Sequence, residues 1–241
     1  MHTVSRSAVP ALTTEQMREV DRAMVEDLHI ELVQMMENAG RNLAELAMTR
    51  FSPSSVTVLA GPGGNGGGGL VAARHLANRG SQVQVVLSEP DRLTPVPAHQ
   101  ADILTRMGIN IASRAPAADL VIDALIGYSL RGDPAGTAAQ LITWANDQAA
   151  PVLALDTPSG LDLTTGAAGA PAIWATATLT LALPKVGLLD APTVGELYLA
   201  DISVPPLVYQ RMGIAVPPLF RQSSLLRIDP WPPSDVLGQK A

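Results

Sequence analysis

Four short runs, VTVLA (56–60), VQVVL (83–87), LVIDA (120–124) and VLALD (152–156), are aliphatic at nearly every position. A strand with one wet face would alternate apolar and polar residues, so runs of this kind belong to a parallel sheet covered on both sides by helices. The intervals between them hold helical candidates at 69–79, 98–107 and 136–149, and ATLTLAL (177–183) and LYLA (197–200) extend the sheet. Ahead of the first run, the stretch from Thr13 to Phe51 predicts two further helices near 14–27 and 31–50, the first opening at Thr14 with Met17 and Val20 at helical spacing. The fold class is therefore α/β, a three-layer αβα sandwich with a mostly parallel central sheet and two N-terminal helices. One domain over 1–214 is expected. The proline-rich segment 215–241 reads as an extended tail whose Leu225, Leu226, Ile228 and Trp231 could pack on the domain or on a partner.

In open α/β sheets ligands gather beyond the carboxyl ends of the strands. Three unusual segments fall there. VTVLA runs into GPGGNGGGG (61–69), LVI into Asp123-Ala124-Leu125-Ile126-Gly127, and VLAL into Asp156-Thr157-Pro158-Ser159-Gly160. Glycine loses more backbone freedom on folding than any other residue, so seven of them in nine positions imply either a close approach to the main chain or a need for left-handed dihedrals. A glycine run leading into a helix also presents amide N–H groups that suit phosphate, which makes a nucleotide or dinucleotide plausible. Asp123 and Asp156 end apolar strands and each needs a partner there. With Asn65 and Ser159 they form an oxygen set fit for Mg²⁺, Ca²⁺ or an alkali ion.

Other chemistries find little support. The chain has no cysteine, which removes disulfides, thiolate nucleophiles and cysteine zinc sites together. A net charge of −6 with no basic cluster argues against nucleic acid and anionic membranes as partners. The longest apolar stretch, 170–184, is too short to span a bilayer and is interrupted by threonines, and the N-terminus has no signal-like core, so a cytoplasmic protein is expected. The four histidines, at 2, 29, 75 and 99, lie away from strand ends, which leaves acid–base work to Asp. Read literally, Gly61-x-Gly63-x-x-Gly66 is a dinucleotide fingerprint, and Glu89 follows the next strand near the position of a ribose-binding acid, so an NAD-dependent dehydrogenase is an alternative.

Taken in order, the segments resemble the YjeF N-terminal domain family, the NAD(P)H-hydrate epimerases. GPGGNGGGGLVAARHL is similar to the family's G-P-G-N-N-G-G-D-G-L-V-A-A-R-H-L, and MMENAG (35–40) to its Met-Glu-Asn-Ala-Gly helix motif. VIDALIGYSLRGDPAG (121–136) resembles its D-A-L-F-G-x-G-L-x-R loop, LALDTPSGLD (153–162) its D-I-P-S-G-L-D loop, and TLTLALPKVGLL with LYLADISVP its closing strands. The resemblance runs from about Leu12 to Gly213. It implies a Rossmann-like fold, a homodimer, and interconversion of the R and S forms of hydrated NADH and NADPH at C6, a nicotinamide-nucleotide repair reaction, with one K⁺ per subunit.

Carried over by residue, the resemblance implies Asn65, Asp123 and Ser159 as potassium ligands and Asp156 at the substrate, where Asp156 is expected to act as general acid and base. Gly64, Asn65, Gly66, Gly67 and Gly68, with Gly127, Tyr128, Ser129, Leu130, Arg131, Gly132 and Asp133, would line the dinucleotide. Asp156→Asn is expected to stop epimerisation and leave the fold intact. The chain departs from the family pattern at Gly64 and Gly68, where Asn and Asp are usual, and at Ser129, where glycine is common. That departure keeps a second class open: a non-catalytic relative serving as a nucleotide-binding or protein-interaction module.

Overall fold

The computed structural model describes residues 2–130 and 132–229; Arg131, Trp231 and the remaining tail positions lie outside them. In chain order the elements are β1 (His2–Ser5), α1 (Thr14–Arg22), α2 (Leu32–Arg50), β2 (Ser55–Ala60), α3 (Gly64–Asn78), β3 (Gln82–Leu87), α4 (Pro95–Arg106), β4 (Asn110–Ile111), β5 (Leu120–Ala124), α5 (Gly136–Asn146), β6 (Val152–Leu155), β7 (Ala177–Leu181), β8 (Glu196–Ala200), α6 (Pro206–Arg211) and β9 (Leu225–Asp229). The strands form a nine-stranded sheet in the order β1-β9-β8-β7-β6-β5-β2-β3-β4. Neighbours run parallel except β8 and β9.

From β2 the chain steps outward to β3 and β4, then returns to the other flank of β2 as β5 and moves away through β6, β7 and β8. The carboxyl ends of β2 and β5 therefore part at a topological switch point. Burial on both faces follows the strand period. In β2, Val56, Val58 and Ala60 join the core beneath α1 to α4, while Leu59 joins a second cluster with Leu141, Ile142 and Ala145 of α5. Thr57, on that second face, is fully buried and donates to the Pro116 carbonyl at 2.8 Å, so the polar member of the strand is satisfied.

The expected tail is corrected at its centre. Leu225, Leu226 and Ile228 sit at 5%, 0% and 1% exposure in β9, antiparallel to β8 and parallel to β1. Leu225 packs into the main core, while Leu226 and Ile228 join a third cluster with Leu197 and Leu199. Three apolar residues matched to an open sheet edge outweigh the flanking prolines.

The glycine run is corrected as well, because α3 begins at Gly64 rather than 69. Each helical glycine costs roughly 1 kcal/mol relative to alanine, and close packing makes the exchange necessary. A Cβ on Gly66 would lie 1.9 Å from the Gly61 carbonyl oxygen. On the opposing helix, a Cβ on Gly40 would lie 2.5 Å from the Gly68 carbonyl oxygen, which gives MMENAG its packing role. Glu37 of α2 locks the two helices by binding Arg74 and, at 2.8 Å, His75 of α3.

Helix α1 is anchored at its start. Thr13 and Gln16 form a reciprocal capping box, and Leu12 hydrogen-bonds across to the strand-like segment after β7, accepting from Val186 N–H and donating to Pro184 C=O. Met17 and Val20 are then buried against the core, which turns that face of α1 inward.

Gly66→Ala is expected to destabilise the protein by about 3 kcal/mol, because the clashing atom is backbone and cannot step aside. Gly64→Asn, where the nearest atom is Leu32 Cδ1 at 3.9 Å, should change stability by no more than about 0.5 kcal/mol. Urea unfolding of both variants checks the contrast.

Candidate active site

At the switch point opens a cavity of about 450 Å³, within the range usual for small-ligand sites. Pro62, Gly63, Gly64 and Asn65 reach it from β2, Leu125 to Ser129 from β5, Asp156 from β6 and Leu181 from β7. Met17 and Asp21 of α1 and Leu32 and Met36 of α2 close the remaining side. A cavity of about 480 Å³ lies near α6, walled mainly by apolar groups such as Leu183, Tyr209, Val216 and Phe220. The volumes do not separate the two; the chemistry of their walls does.

Two oxygen-bearing side chains, Asp123 and Ser159, are hydrogen-bonded to each other beneath the loop after β5, and a third, Asn65, stands against the same loop at Gly127. Asp123 is fully buried and accepts from Ser159 N–H at 2.8 Å, Ser159 Oγ at 2.6 Å and Leu125 N–H at 3.2 Å. Burial pushes its carboxyl up to about 6, against the pull of those donors. Asn65 is different: both its amide atoms are buried and neither has a hydrogen-bond partner among the described residues. Its amide lies against Gly127, on the Asp123 loop. A buried, unpaired amide costs roughly 1–3 kcal/mol, so Asn65 calls for a partner that the described residues do not supply. One carboxylate with a neutral amide and a hydroxyl carries a single formal negative charge, which suits a monovalent cation better than Mg²⁺ or Ca²⁺.

Asp156 occupies the end of β6 with φ at +65°, in a tight turn closed by a 2.8 Å bond from Thr157 N–H to Leu155 C=O. A non-glycine residue held there carries strain that orients its side chain. Its Oδ1 accepts from the Lys185 ammonium and from Leu181 N–H at 3.3 Å. Lys185 is 0% exposed and also donates to the Leu181 carbonyl at 3.0 Å. The ion pair fixes one carboxylate oxygen and leaves Oδ2 without a donor among the described residues.

This constellation coincides with a sequence match. Residues 32–187 match the family described as YjeF-related protein N-terminus. The chain belongs to this family. It is 46% identical to the NAD(P)H-hydrate epimerase of Dehalogenimonas lykanthroporepellens, over 88% of this chain and 89% of that one. It is 36% identical to the NAD(P)H-hydrate epimerase of Rhodopirellula baltica, over 82% and 86% of the two chains. The bifunctional NAD(P)H-hydrate repair enzyme Nnr of Salinibacter ruber is 36% identical over 93% of this chain, which spans 46% of that protein. In fold, the chain is similar to the crystal structure of the yeast protein ynu0, with a TM-score of 0.80 at 20% identity, covering 91% of this chain and 100% of that one.

The YjeF-type cavity gathers some of the expected residues and not others. Gly64, Asn65, Gly127, Tyr128, Ser129 and Asp156 line it, while Asp123 and Ser159 lie behind the lining, hydrogen-bonded to the N–H groups of Leu125 and Ile126. Gly66, Gly67 and Gly68 do not: they are buried in the first turns of α3 against Gly61, Val96 and Leu155. A Cβ at position 68 would lie 2.7 Å from Leu155 Cδ2 and 3.6 Å from Met36 Sδ, and Gly68 is not among the residues that line the cavity. Leu130, Gly132 and Asp133 line a separate depression, where Asp133 accepts from Ala170 N–H at 3.0 Å and ties two loops together. Arg131 falls outside the described residues.

The sequence reading missed Lys185 and the pair formed by Asp21 and Tyr128. The Tyr128 hydroxyl donates to Asp21 Oδ2, and both residues line the cavity. Burial raises the Asp21 carboxyl and, with the Asp21 charge, holds the Tyr128 hydroxyl well above its usual range. A signal for Asp21 existed: it lies four residues after Met17 and one after Val20, on the apolar face of α1. For Lys185 the signal was a lone cation directly after the apolar run LTLALP.

The ion pair alters the expectation for Asp156→Asn. Removing one member leaves a buried, uncompensated charge at Lys185, which costs about 3–5 kcal/mol. The single variant should therefore unfold at markedly lower urea. Asp156→Asn combined with Lys185→Met should recover most of that stability, and a double-mutant cycle by urea unfolding measures the coupling.

Proposed function

We infer that the protein is an NAD(P)H-hydrate epimerase that interconverts the R and S forms of hydrated NADH and NADPH at C6, a step of nicotinamide-nucleotide repair. The observation that carries this is a switch-point cavity, in a YjeF-family chain, lined by the positioned carboxylate of Asp156 and by Asn65, whose buried amide has no partner among the described residues and stands against the loop that Asp123 begins. The variant glycine run leaves these groups in place, so the non-catalytic alternative gains no support from it.

The substrate carries its hydroxyl on a carbon bonded to the ring nitrogen. Inversion there proceeds by breaking and remaking a bond at C6, with no change of oxidation state. Asp156 is assigned the proton transfer. Lys185 and the strained turn hold its Oδ1, so that Oδ2 meets the ring in one orientation. The start of α3 is assigned the pyrophosphate: Gly63 offers no side-chain cap, and Gly63 and Gly64 line the cavity. Met17, Leu32, Met36 and Leu181 exclude bulk water from the ring.

Asn65, Asp123 and Ser159 are proposed to hold one K⁺ per subunit. When bound, the ion supplies a fixed positive charge that satisfies Asn65 Oδ1 and draws electron density from a substrate oxygen. A homodimer and a cytoplasmic setting complete the proposal. Among the described residues no helix is long and apolar enough to cross a membrane.

The test mixes purified protein with R-enriched hydrated NADH in potassium or sodium buffer and follows the epimer ratio by chromatography. The wild-type protein should drive the ratio to equilibrium, faster with potassium; an unchanged ratio rejects the reading. The Asp156→Asn/Lys185→Met variant should be slower by about 10²–10⁴-fold. Asn65→Ala should raise the potassium concentration needed for half-maximal rate about tenfold, as expected for losing a ligand worth about 1.4 kcal/mol.

A further inference from the structure

Inversion at C6 has a geometric demand that one carboxylate does not meet. If water leaves from one face of the ring and adds to the other, one group must protonate the departing oxygen and another must take the proton of the incoming water. Asp156 supplies one such group. The cavity is lined by two further carboxylates, Glu89, which pairs with Arg92, and Asp21, which projects from a different element and bears no ion pair among the described residues. Tyr128, on the loop after β5, donates its hydroxyl to Asp21 Oδ2 and so fixes the rotamer. Asp21 and Asp156 lie within electrostatic reach of each other, yet only Asp156 is bound by Lys185.

The placement of Asp21 is built into the fold. Leu12 bridges to Lys185 through backbone hydrogen bonds on either side of the lysine, and the capping box at Thr13 starts α1 directly afterwards. Buried Met17 and Val20 set the rotation of the helix, and Asp21 follows onto the cavity side. The segment that carries one carboxylate is thus stitched to the residue that holds the other.

We propose that Asp21, oriented by the Tyr128 hydroxyl, is the second acid–base residue of the epimerisation, serving the ring face opposite Asp156. The proposal rests on the epimerase reading above. In one direction, protonated Asp21 gives its proton to the C6 hydroxyl and the C–O bond breaks with its electron pair on oxygen, releasing water. The ring nitrogen lone pair forms a C=N bond to C6. Water then attacks C6 from the other face, the C=N pair returns to nitrogen, and the Asp156 carboxylate takes the proton. The opposite epimer uses the same groups with roles exchanged, so atoms and electrons balance without a redox partner. Burial, which raises the Asp21 carboxyl, favours the protonated form that the first step uses.

The experiment measures kcat and KM for hydrated NADH with wild-type protein, Asp21→Asn and Tyr128→Phe, with thermal unfolding of each. Asp21→Asn is expected to lower kcat by about 10²–10⁴-fold with KM little changed. In Tyr128→Phe, loss of a donor to the carboxylate should move the Asp21-dependent limb of the pH–kcat profile to higher pH. Besides Tyr128, the titratable groups acting on Asp21 are Lys185, Asp156 and Tyr209, all unchanged in that variant. Should Asp21→Asn fail to fold, the Tyr128→Phe profile decides, and an unmoved limb overturns the proposal. A folded Asp21→Asn protein with kcat within about threefold of wild type also overturns it, because general acid–base groups contribute far more. An inactive wild-type protein rejects the epimerase reading itself, whereas an active wild type with an active Asp21→Asn rejects only the role of Asp21.

Discussion

The close seating of α3 on the sheet and on α2 is the constraint from which the rest of the molecule follows. The Gly66 turn rides on the Gly61 backbone, and Gly68 meets Gly40 of the neighbouring helix without intervening side chains. This brings the start of α3 down beside the carboxyl end of β5, where Asn65 can stand against the Asp123 loop. A bulkier turn would lift the helix and separate the amide from the loop that Asp123 begins. The conformational cost of the glycines is therefore offset by packing that also defines one wall of the cavity.

A second tie acts from the opposite side. Lys185 is buried without any water-facing surface, which is costly for a cation, and the Asp156 carboxylate and the Leu181 carbonyl compensate it. Because Leu12 pairs with the same residue, the N-terminal segment, the end of β6 and the turn after β7 are held as one unit. The glycine wall and Lys185 are more than a hundred residues apart in the chain. Their relative position is fixed by the sheet order rather than by either loop alone.

Much of this was legible in the amino-acid sequence because it was written locally. Doubly apolar runs fixed β2, β3, β5 and β6 to within a residue or so, and the oxygen-bearing residues at their ends were read as one site. What escaped depended on contacts that no local pattern encodes. The helical start at Gly64 contradicts propensity and is imposed by packing, and β9 was hidden by its prolines until the edge of β8 was available to pair it. Lys185 resembled an ordinary cation after a strand, since its burial requires the N-terminal segment to cover it. Asp21 looked like part of a charged helix surface because its neighbours Arg18, Arg22 and Glu19 do face solvent.

The matched family segment, 32–187, and the cavity do not have the same boundaries. Met17, Asp21 and Ile202 line the cavity from outside that segment. A fragment cut at the limits of the match would keep Asn65, Asp123, Ser159 and Asp156 and still look complete to a motif search. It would lack one side of the chamber, with Lys185 stripped of the strand partner that covers it. For this architecture the portable unit is larger than the recognisable one, and grafting or excision has to follow the wall rather than the motif.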